Sequence, residues 1–142
     1  MRVNTNTLMS RIIRGKNFRK FIENNDVEFE EYSISEYLDA LCKEYDMVPG
    51  QVIKKAQIDR TYGHQIFNGT RNPSRDKLIQ IAIGFGLSLE ETQRLLKVSG
   101  KSMLYAKIKR DAVCIYAISH NIGVMELQEM LSSVNMPMLG EE

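Results

Sequence analysis

The segment 59–69, which reads DRTYGHQIFNG, holds the side chains with the most specific chemistry in this chain. In a helix that turns 100° per residue, one arc of about 140° collects the polar residues Arg60, Thr61, His64, Gln65 and Asn68. The opposite side carries Tyr62, Gly63, Ile66 and Phe67. Arginine can pair with guanine, glutamine or asparagine with adenine, and threonine can touch the thymine methyl group. We therefore expect this polar face to contact base edges in the major groove of double-stranded DNA.

Basic residues flank this segment and suit contacts to phosphates. They are Lys54, Lys55, Arg71, Arg75 and Lys77. Between residues 47 and 77 the only acids are Asp59 and Asp76. A face that is merely hydrated would normally mix glutamate with lysine, and this simpler interpretation is the alternative to DNA contact.

The residues before this segment predict how it is positioned. Pro49 suits the first turn of a helix over 49–56, and Asp59 suits the N-cap of a second helix. A tight turn at Gln57–Ile58 joins them, which is the spacing of a helix-turn-helix. Gly63 costs ~1 kcal/mol relative to alanine inside a helix. We expect it to mark a close backbone crossing with the preceding helix.

The rest of the chain predicts an all-α protein, because strand signals are nearly absent and helical periods are frequent. Capping signals at Ser33, Ser74 and Ser88 begin three further helices. The helix capped by Ser33 is expected to end at about Tyr45. The helix capped by Ser74 should end at about Phe85, before a stop at Gly86, and the helix capped by Ser88 at about Gly100.

Both ends of the chain add helices to this plan. A first helix over about Thr7–Asn24, which Gly15 could divide, is followed by an acidic linker over 26–32. Its expected buried residues are Leu8, Ile12, Ile13, Phe18, Phe21 and Ile22. The C-terminal part predicts helices over about Leu104–His120 and Val124–Ser133, then a frayed tail over 135–142. The longer of these two helices is expected to present Val113, Ile115, Tyr116 and Ile118.

An internal similarity relates residues 75–98 to residues 110–133 at an offset of 35 without gaps. Identical pairs include Arg75 with Arg110 and Asp76 with Asp111. Two units are too few for a solenoid. A true duplication and a pattern shared by any two helical hairpins are equally compatible with this similarity.

Residues 35–99 resemble the XRE family of bacterial and phage regulators, the lambda-repressor/Cro-like helix-turn-helix proteins. The resemblance rests on Ile58 in the turn, Asp59 at the cap, Gly69 at the helix end, Asn72-Pro73-Ser74 in the loop and Leu87–Glu91. It implies a five-helix DNA-binding domain at 33–100, between an N-terminal helical arm with an acidic linker (1–32) and a C-terminal helical hairpin with its tail (101–142). The chain departs from the family at Pro49, where a polar residue is usual, and at Gln57, which replaces a turn glycine and implies a slightly different turn.

The expected function is that of a sequence-specific transcriptional regulator, with repression as the expected mode. One recognition helix reads few base pairs, so we expect a homodimer on a palindromic operator with half-sites ~34 Å apart. The alternative is a protein-interaction adaptor or antitoxin-like partner, whose DNA binding is secondary or lost. The acidic block at 23–46 favours this alternative, since it would repel DNA on the same face as residues 54–77.

Other chemistry finds little support in the sequence. His64 and His120 lack partners at metal-ligand spacing, so we expect no metal, no cofactor and no catalytic residue. Cys42 and Cys114 are expected to be free buried thiols. No apolar run approaches ~20 residues, and the N-terminus lacks the apolar core of a secretory signal. A cytoplasmic, nucleoid-associated protein of a bacterium or phage is the expectation.

Overall fold

The computed structural model of the protein describes residues 3–25 and 33–140, and all regular structure within these ranges is helical. The all-α prediction is therefore confirmed for the described chain. The helices are α1 (Thr5–Arg14), α2 (Phe18–Asn24), α3 (Ile34–Glu44), α4 (Pro49–Lys55), α5 (Arg60–Phe67), α6 (Arg75–Phe85), α7 (Leu89–Val98), α8 (Lys109–Ser119) and α9 (Val124–Ser133). The chain forms two compact units, Met1–Glu31 and Tyr32–Glu142. The second unit continues through residue 100, where the sequence predicted a segment boundary.

The first unit contains two short helices that break at Gly15, as the sequence predicted. Asn4 and Asn17 cap them through side-chain oxygens that accept from the N–H groups of Thr7 and Lys20. The prediction of buried apolar residues is wrong here, because neither helix buries any residue. The predicted set was Leu8, Ile12, Ile13, Phe18, Phe21 and Ile22, of which Phe18 is 78% exposed. Two helices of this length provide no second layer that could enclose a core.

Local capping sets the start of most helices in the second unit, as predicted. The side chains of Ser33, Asp59, Ser74 and Ser88 each accept a hydrogen bond from the backbone N–H three residues further on. Pro49 is the first residue of α4. At the other end of α6, Gly86 has a φ of 76°, a left-handed conformation that costs glycine little. Each capping residue lies within one helical turn of the N–H group that it binds, and for this reason the caps can be recognised in the sequence.

Helix α6 lies at the centre of the core and packs against α4, α7 and α9. The residues predicted to be buried on it, Leu78, Ile79, Ile81, Ala82 and Phe85, are all buried. The closest backbone approach is at Gly84, where an added Cβ would lie 2.7 Å from the carbonyl oxygen of Val52. Gln80 strengthens this junction, because its Nε2 donates to the carbonyl of Ala56 over 3.0 Å.

Gly63 also lies at a close crossing, although its neighbour differs from the prediction. A Cβ on Gly63 would lie 2.6 Å from Cγ2 of Ile53, so the space is filled by a branched side chain of α4 and not by its backbone. The sequence therefore located the α4–α5 crossing correctly and misjudged what occupies it. The backbone crossing is the one at Gly84.

Helix α3 fixes the end of α5 and also reaches α7. The hydroxyl of Ser35 donates to the carbonyl of Phe67 over 2.6 Å. Tyr45 donates a hydrogen bond to the carboxylate of Glu91. Burial and this bond raise the pKa of the Tyr45 hydroxyl to about 12, so the phenol stays protonated and keeps its role as donor.

The C-terminal half consists of two equivalent hairpins. Hairpin A comprises residues 75–105, with α6 and α7, and hairpin B comprises residues 110–140, with α8 and α9. Arg75 binds both carboxylate oxygens of Asp111 at 3.0 and 2.9 Å. Arg110 binds both carboxylate oxygens of Asp76 at 2.9 and 2.8 Å. We call these two reciprocal pairs the Arg–Asp clamps.

Each clamp also holds the irregular segment that follows the second helix of its hairpin. Arg75 donates to the carbonyls of Ser102 and Met103, and Asp111 accepts from the N–H of Tyr105. In hairpin B, Arg110 donates to Pro137 and Met138, and Asp76 accepts from Gly140. Gln93 exchanges two bonds with Leu104, as Gln128 does with Leu139.

These contacts correct two predictions. The tail does not fray over residues 135–140, since Leu139 is buried and Gly140 is bound to Asp76; residues 141–142 lie outside the described chain. Helix α8 begins at Lys109 and not near Leu104, because residues 102–105 have no regular secondary structure and are bound to Arg75, Gln93 and Asp111. Of its four predicted apolar residues only Ile118 is buried, together with Asp111, Cys114 and Ala117.

The reciprocal contacts decide between the two interpretations of the repeat. Residues 35 apart make the same side-chain bonds to the same positions of irregular backbone. Two hairpins that merely shared a helical period would not need to do so. The second unit therefore contains a structural duplication, in which each hairpin makes the same bonds to the other.

Candidate nucleic-acid interface

The turn between α4 and α5 is shaped by Gln57, which has a φ of 58°. This is the left-handed conformation that glycine favours. The turn therefore has the glycine-type backbone, which corrects the expectation of a different turn. Ile58 follows as a buried anchor, and its N–H donates to the carbonyl of Ile53 over 3.2 Å.

Helix α5 divides into a polar and a packed side, as the helical wheel predicts. Arg60, Thr61, His64 and Asn68 are exposed, whereas Gln65 is half-buried. Gly63 and Ile66 are buried on the opposite side. Asn68 has a local role as well, because it ends the helix and its Oδ1 accepts from the N–H of Thr70.

One flank of α5 is a groove beside α4. It has a volume of about 820 Å³, and Lys54, Arg60 and His64 contribute polar side chains to its lining. Lys55 is exposed near it at the end of α4. The predicted base reader Arg60 and the predicted phosphate contact Lys54 therefore share one surface.

The other flank of α5 is formed by the loop after the helix and the start of α6. The guanidinium carbon of Arg71 lies 4.7 Å from the centre of the Tyr62 ring, and the ammonium of Lys77 lies 5.6 Å from it. Cations at these distances are attracted to an aromatic face. Nε of Arg71 also donates to Oε1 of Gln65 over 3.1 Å. Arg71 and Lys77 are thus gathered beside the predicted base reader Gln65.

Arg75 does not belong to this surface. Its Nε and both terminal nitrogens donate to Asp111 and to the carbonyls of Ser102 and Met103. A guanidinium committed in this way has little capacity left for a phosphate. The prediction that Arg75 contacts phosphate is corrected, and we assign it to the hairpin clamp.

The clamps also change the local balance of charge. Of the two acids between residues 47 and 77, Asp76 is buried against Arg110, and Asp59 caps α5. Burial acts to raise the pKa of Asp76, but hydrogen bonds from Arg110 and Gly140 outweigh it and hold that pKa below its usual value of 3.8. Its charge is therefore neutralised within the protein, and within residues 47–77 Asp59 is the one exposed acid beside Lys54, Lys55, Arg60, Arg71 and Lys77.

The sequence did not predict two contributions to this surface, namely the ring of Tyr62 and the turn at Gly69. Tyr62 was assigned only to packing, yet it provides the ring on which Arg71 lies. The signal was present in Gly69, whose φ of 84° turns the chain back so that the N–H of Arg71 reaches the carbonyl of Gln65. A glycine at the end of a helix can reverse the chain direction, so that an arginine shortly after it lies beside the last turn of that helix.

Cys42 and Cys114 are free and buried, as predicted, and burial raises the pKa of the Cys114 thiol to about 11. Within residues 3–25 and 33–140 no group of three or more His, Cys, Asp or Glu side chains could hold a metal ion. No helix in the same ranges is long and apolar enough to cross a membrane.

Comparisons of the chain with protein-family models, with curated proteins and with solved structures gave no match.

Proposed function

We propose that this chain is a sequence-specific regulator that binds double-stranded DNA through a helix-turn-helix formed by α4 and α5. The observation that carries the proposal is the face of α5. Arg60, Thr61 and His64 are exposed on it, α5 itself contains no acid, and basic side chains flank it on both sides, with Asp59 at its N-cap as the acid that lines the groove beside α4. Such a face combines groups that bond to bases with groups that bind phosphates.

Each flank has a role in this proposal. Arg60, Thr61, His64, Gln65 and Asn68 face the bases, and Lys54, Lys55, Arg71 and Lys77 lie towards the phosphate backbone. The helix offers only two turns, so a single copy reads few base pairs. A homodimer on a palindromic site, with half-sites ~34 Å apart, would supply the missing specificity.

Selection from a random pool of duplexes tests the proposal directly. The protein is expected to enrich a palindromic motif, and Arg60→Ala is expected to lose about 1–3 kcal/mol of discrimination at one position of each half-site. Arg94→Ala is the matched control, since Arg94 is exposed on α7 outside the candidate interface. If no sequence is enriched at moderate salt, the proposed function fails.

The dependence of affinity on salt separates phosphate contacts from base contacts. Lys54→Ala should reduce the slope of log affinity against log salt by about one, because one phosphate contact is lost. The enriched motif should stay the same. Lys97→Ala removes an equally exposed lysine from α7 and should leave both quantities unchanged.

A second candidate function is a protein-interaction adaptor or antitoxin-like partner. It is favoured by the apolar side chains that the second unit leaves exposed on hairpin B and just before it, namely Ile108, Tyr116 and Met125. For this candidate, the selection experiment would enrich no motif, and Tyr116→Ser would abolish association with a protein partner.

A further inference from the structure

Arg71 is fixed beside the polar face of α5 by three contacts. Its backbone N–H donates to the carbonyl of Gln65 over 3.1 Å, and its guanidinium lies over the ring of Tyr62. Its Nε then donates to the side-chain oxygen of the same Gln65. Because its backbone N–H, its guanidinium plane and its Nε each make a contact with α5, the side chain of Arg71 has little freedom to turn away from that helix.

This arrangement decides which way the amide of Gln65 points. Arginine carries donors and no acceptor, so the atom of Gln65 that faces Nε must be the oxygen. The amide nitrogen, a donor, is therefore directed away from Arg71. The terminal nitrogens of Arg71 bond to no acceptor in the part of the chain that the structure describes, and they remain available as further donors.

A free glutamine reads adenine by using both ends of its amide. The oxygen accepts from N6 of the base while the nitrogen donates to N7. Gln65 cannot present both ends to one base edge while its oxygen is turned towards Arg71. What the pair presents outward consists of donors, which match the two acceptors of guanine, N7 and O6, and oppose the amino groups of adenine and cytosine.

We propose that Gln65 and Arg71 act as one recognition unit that selects guanine where an unpaired glutamine would select adenine. The inference rests on the proposed function, and it changes two roles assigned from sequence. Gln65 is a guanine reader, and Arg71 sets its specificity in addition to supplying positive charge near the backbone.

The experiment uses the full chain and the motif enriched from the random pool. The position read by Gln65 is identified as the one whose base preference is lost in Gln65→Ala. Affinities are then measured for duplexes that carry G or A at that position, with the protein unchanged and with Arg71→Ala. The matched control is Lys77→Ala, which removes the other cation beside Tyr62 and leaves the bond between Arg71 and Gln65 in place.

The unchanged protein should bind the G duplex about tenfold more tightly than the A duplex, which lies within the usual range for one good base contact. Arg71→Ala frees the amide, and the ratio should fall to one or reverse in favour of A. Lys77→Ala should weaken both duplexes alike and keep the ratio. Circular dichroism of both variants should match the unchanged protein, because the two side chains lie outside the core.

The outcomes separate this inference from the function on which it rests. Adenine at the Gln65 position in the enriched motif overturns the inference and leaves DNA readout intact. A guanine preference that survives Arg71→Ala unchanged also overturns it. A pool with no enriched sequence overturns the proposed function, and the inference falls with it.

Discussion

Ile81 and Tyr116 occupy equivalent positions in hairpins A and B, yet Ile81 is fully buried and Tyr116 is 52% exposed. The same contrast holds one turn later, where Gly84 lies against the backbone of α4 and its counterpart Ser119 faces solvent. The inner contacts of the two hairpins, by contrast, are the same bond for bond. The two hairpins therefore share the same internal contacts and differ in what covers their outer faces. Only hairpin A packs against α4, which forms the candidate interface together with α5.

Loss of an Arg–Asp clamp should have the largest effect and should be equal in both hairpins. Asp76→Ala and Asp111→Ala each leave a largely buried arginine and a backbone N–H without their acceptor. Each should reduce the free energy of unfolding by about 3–5 kcal/mol. Urea unfolding followed by circular dichroism measures this reduction.

The double variant Asp76→Ala/Arg110→Ala checks that the loss comes from an unpaired charge. It should cost less than the sum of the two single variants, because neither partner then remains alone. Costs for Asp76→Ala and Asp111→Ala that differ by more than about 2 kcal/mol would contradict the symmetry of the inner contacts.

Substitutions on the outer faces of the two hairpins should change the free energy of unfolding by different amounts. Ile81→Ala removes a fully buried side chain and should cost about 2–5 kcal/mol. Tyr116→Ala removes a half-exposed ring that stacks on His120, and it should change stability by no more than about 0.5 kcal/mol. Urea midpoints compare the two. A large loss at Tyr116 would show that α8 is covered in solution.

Gly84 and Ser119 give a smaller version of the same contrast. In Gly84→Ala the clash is with a backbone atom, the carbonyl oxygen of Val52 at 2.7 Å, so the cost lies in the upper part of the usual range, about 2–3 kcal/mol, and the better helix propensity of alanine returns about 1 kcal/mol. A net loss of roughly 1–2 kcal/mol is expected. Ser119→Ala should stay within about 0.5 kcal/mol. Thermal unfolding of both variants measures these changes, and an unaffected Gly84→Ala would contradict the close crossing of α4 and α6.

Acid should weaken both hairpins together. Burial acts to raise the pKa of Asp76 and of Asp111, but the bound arginines and backbone N–H groups outweigh it and place both pKa values below the ordinary 3.8. The carboxylates therefore stabilise the fold above the pKa of the unfolded chain. This contribution is lost as pH falls from about 4 through the folded pKa values.

Urea unfolding between pH 2 and pH 7 tests this effect. Asp76→Asn and Asp111→Asn should each flatten the acid limb of the stability curve by a similar amount. A change produced by only one of the two would show that the clamps differ in their charge.

The parts of the fold that the sequence predicts depend on short-range physics. Ser33, Asp59, Ser74 and Ser88 lie three residues from the N–H groups that they cap, so their effect is visible in the sequence itself. The polar face of α5 is equally local, since the helical period alone sorts its residues.

The wrong predictions concern positions whose structure depends on residues far away in the sequence. Nothing near Arg75 in sequence shows that its partner is Asp111, so it was grouped with the phosphate contacts. Within the irregular segments 102–105 and 137–140, Pro137 is a local signal against a helix, but such signals do not fix the path of either segment. Their shape is set by side chains of other helices. In the first unit, apolar spacing predicted buried residues on α1 and α2, and neither of these two helices buries one.

The bond between Asp76 and Gly140 joins residues 64 positions apart. On a translating ribosome, which adds about 5–20 residues per second, roughly 3–13 s separate the synthesis of these two residues. Arg110 follows Asp76 by 34 residues, so about half of that interval passes before Arg110 is made, and Gly140 is made only at its end. The clamp that joins Asp76, Arg110 and Gly140 is therefore completed late in synthesis, after α4, α5 and α6 have all been made.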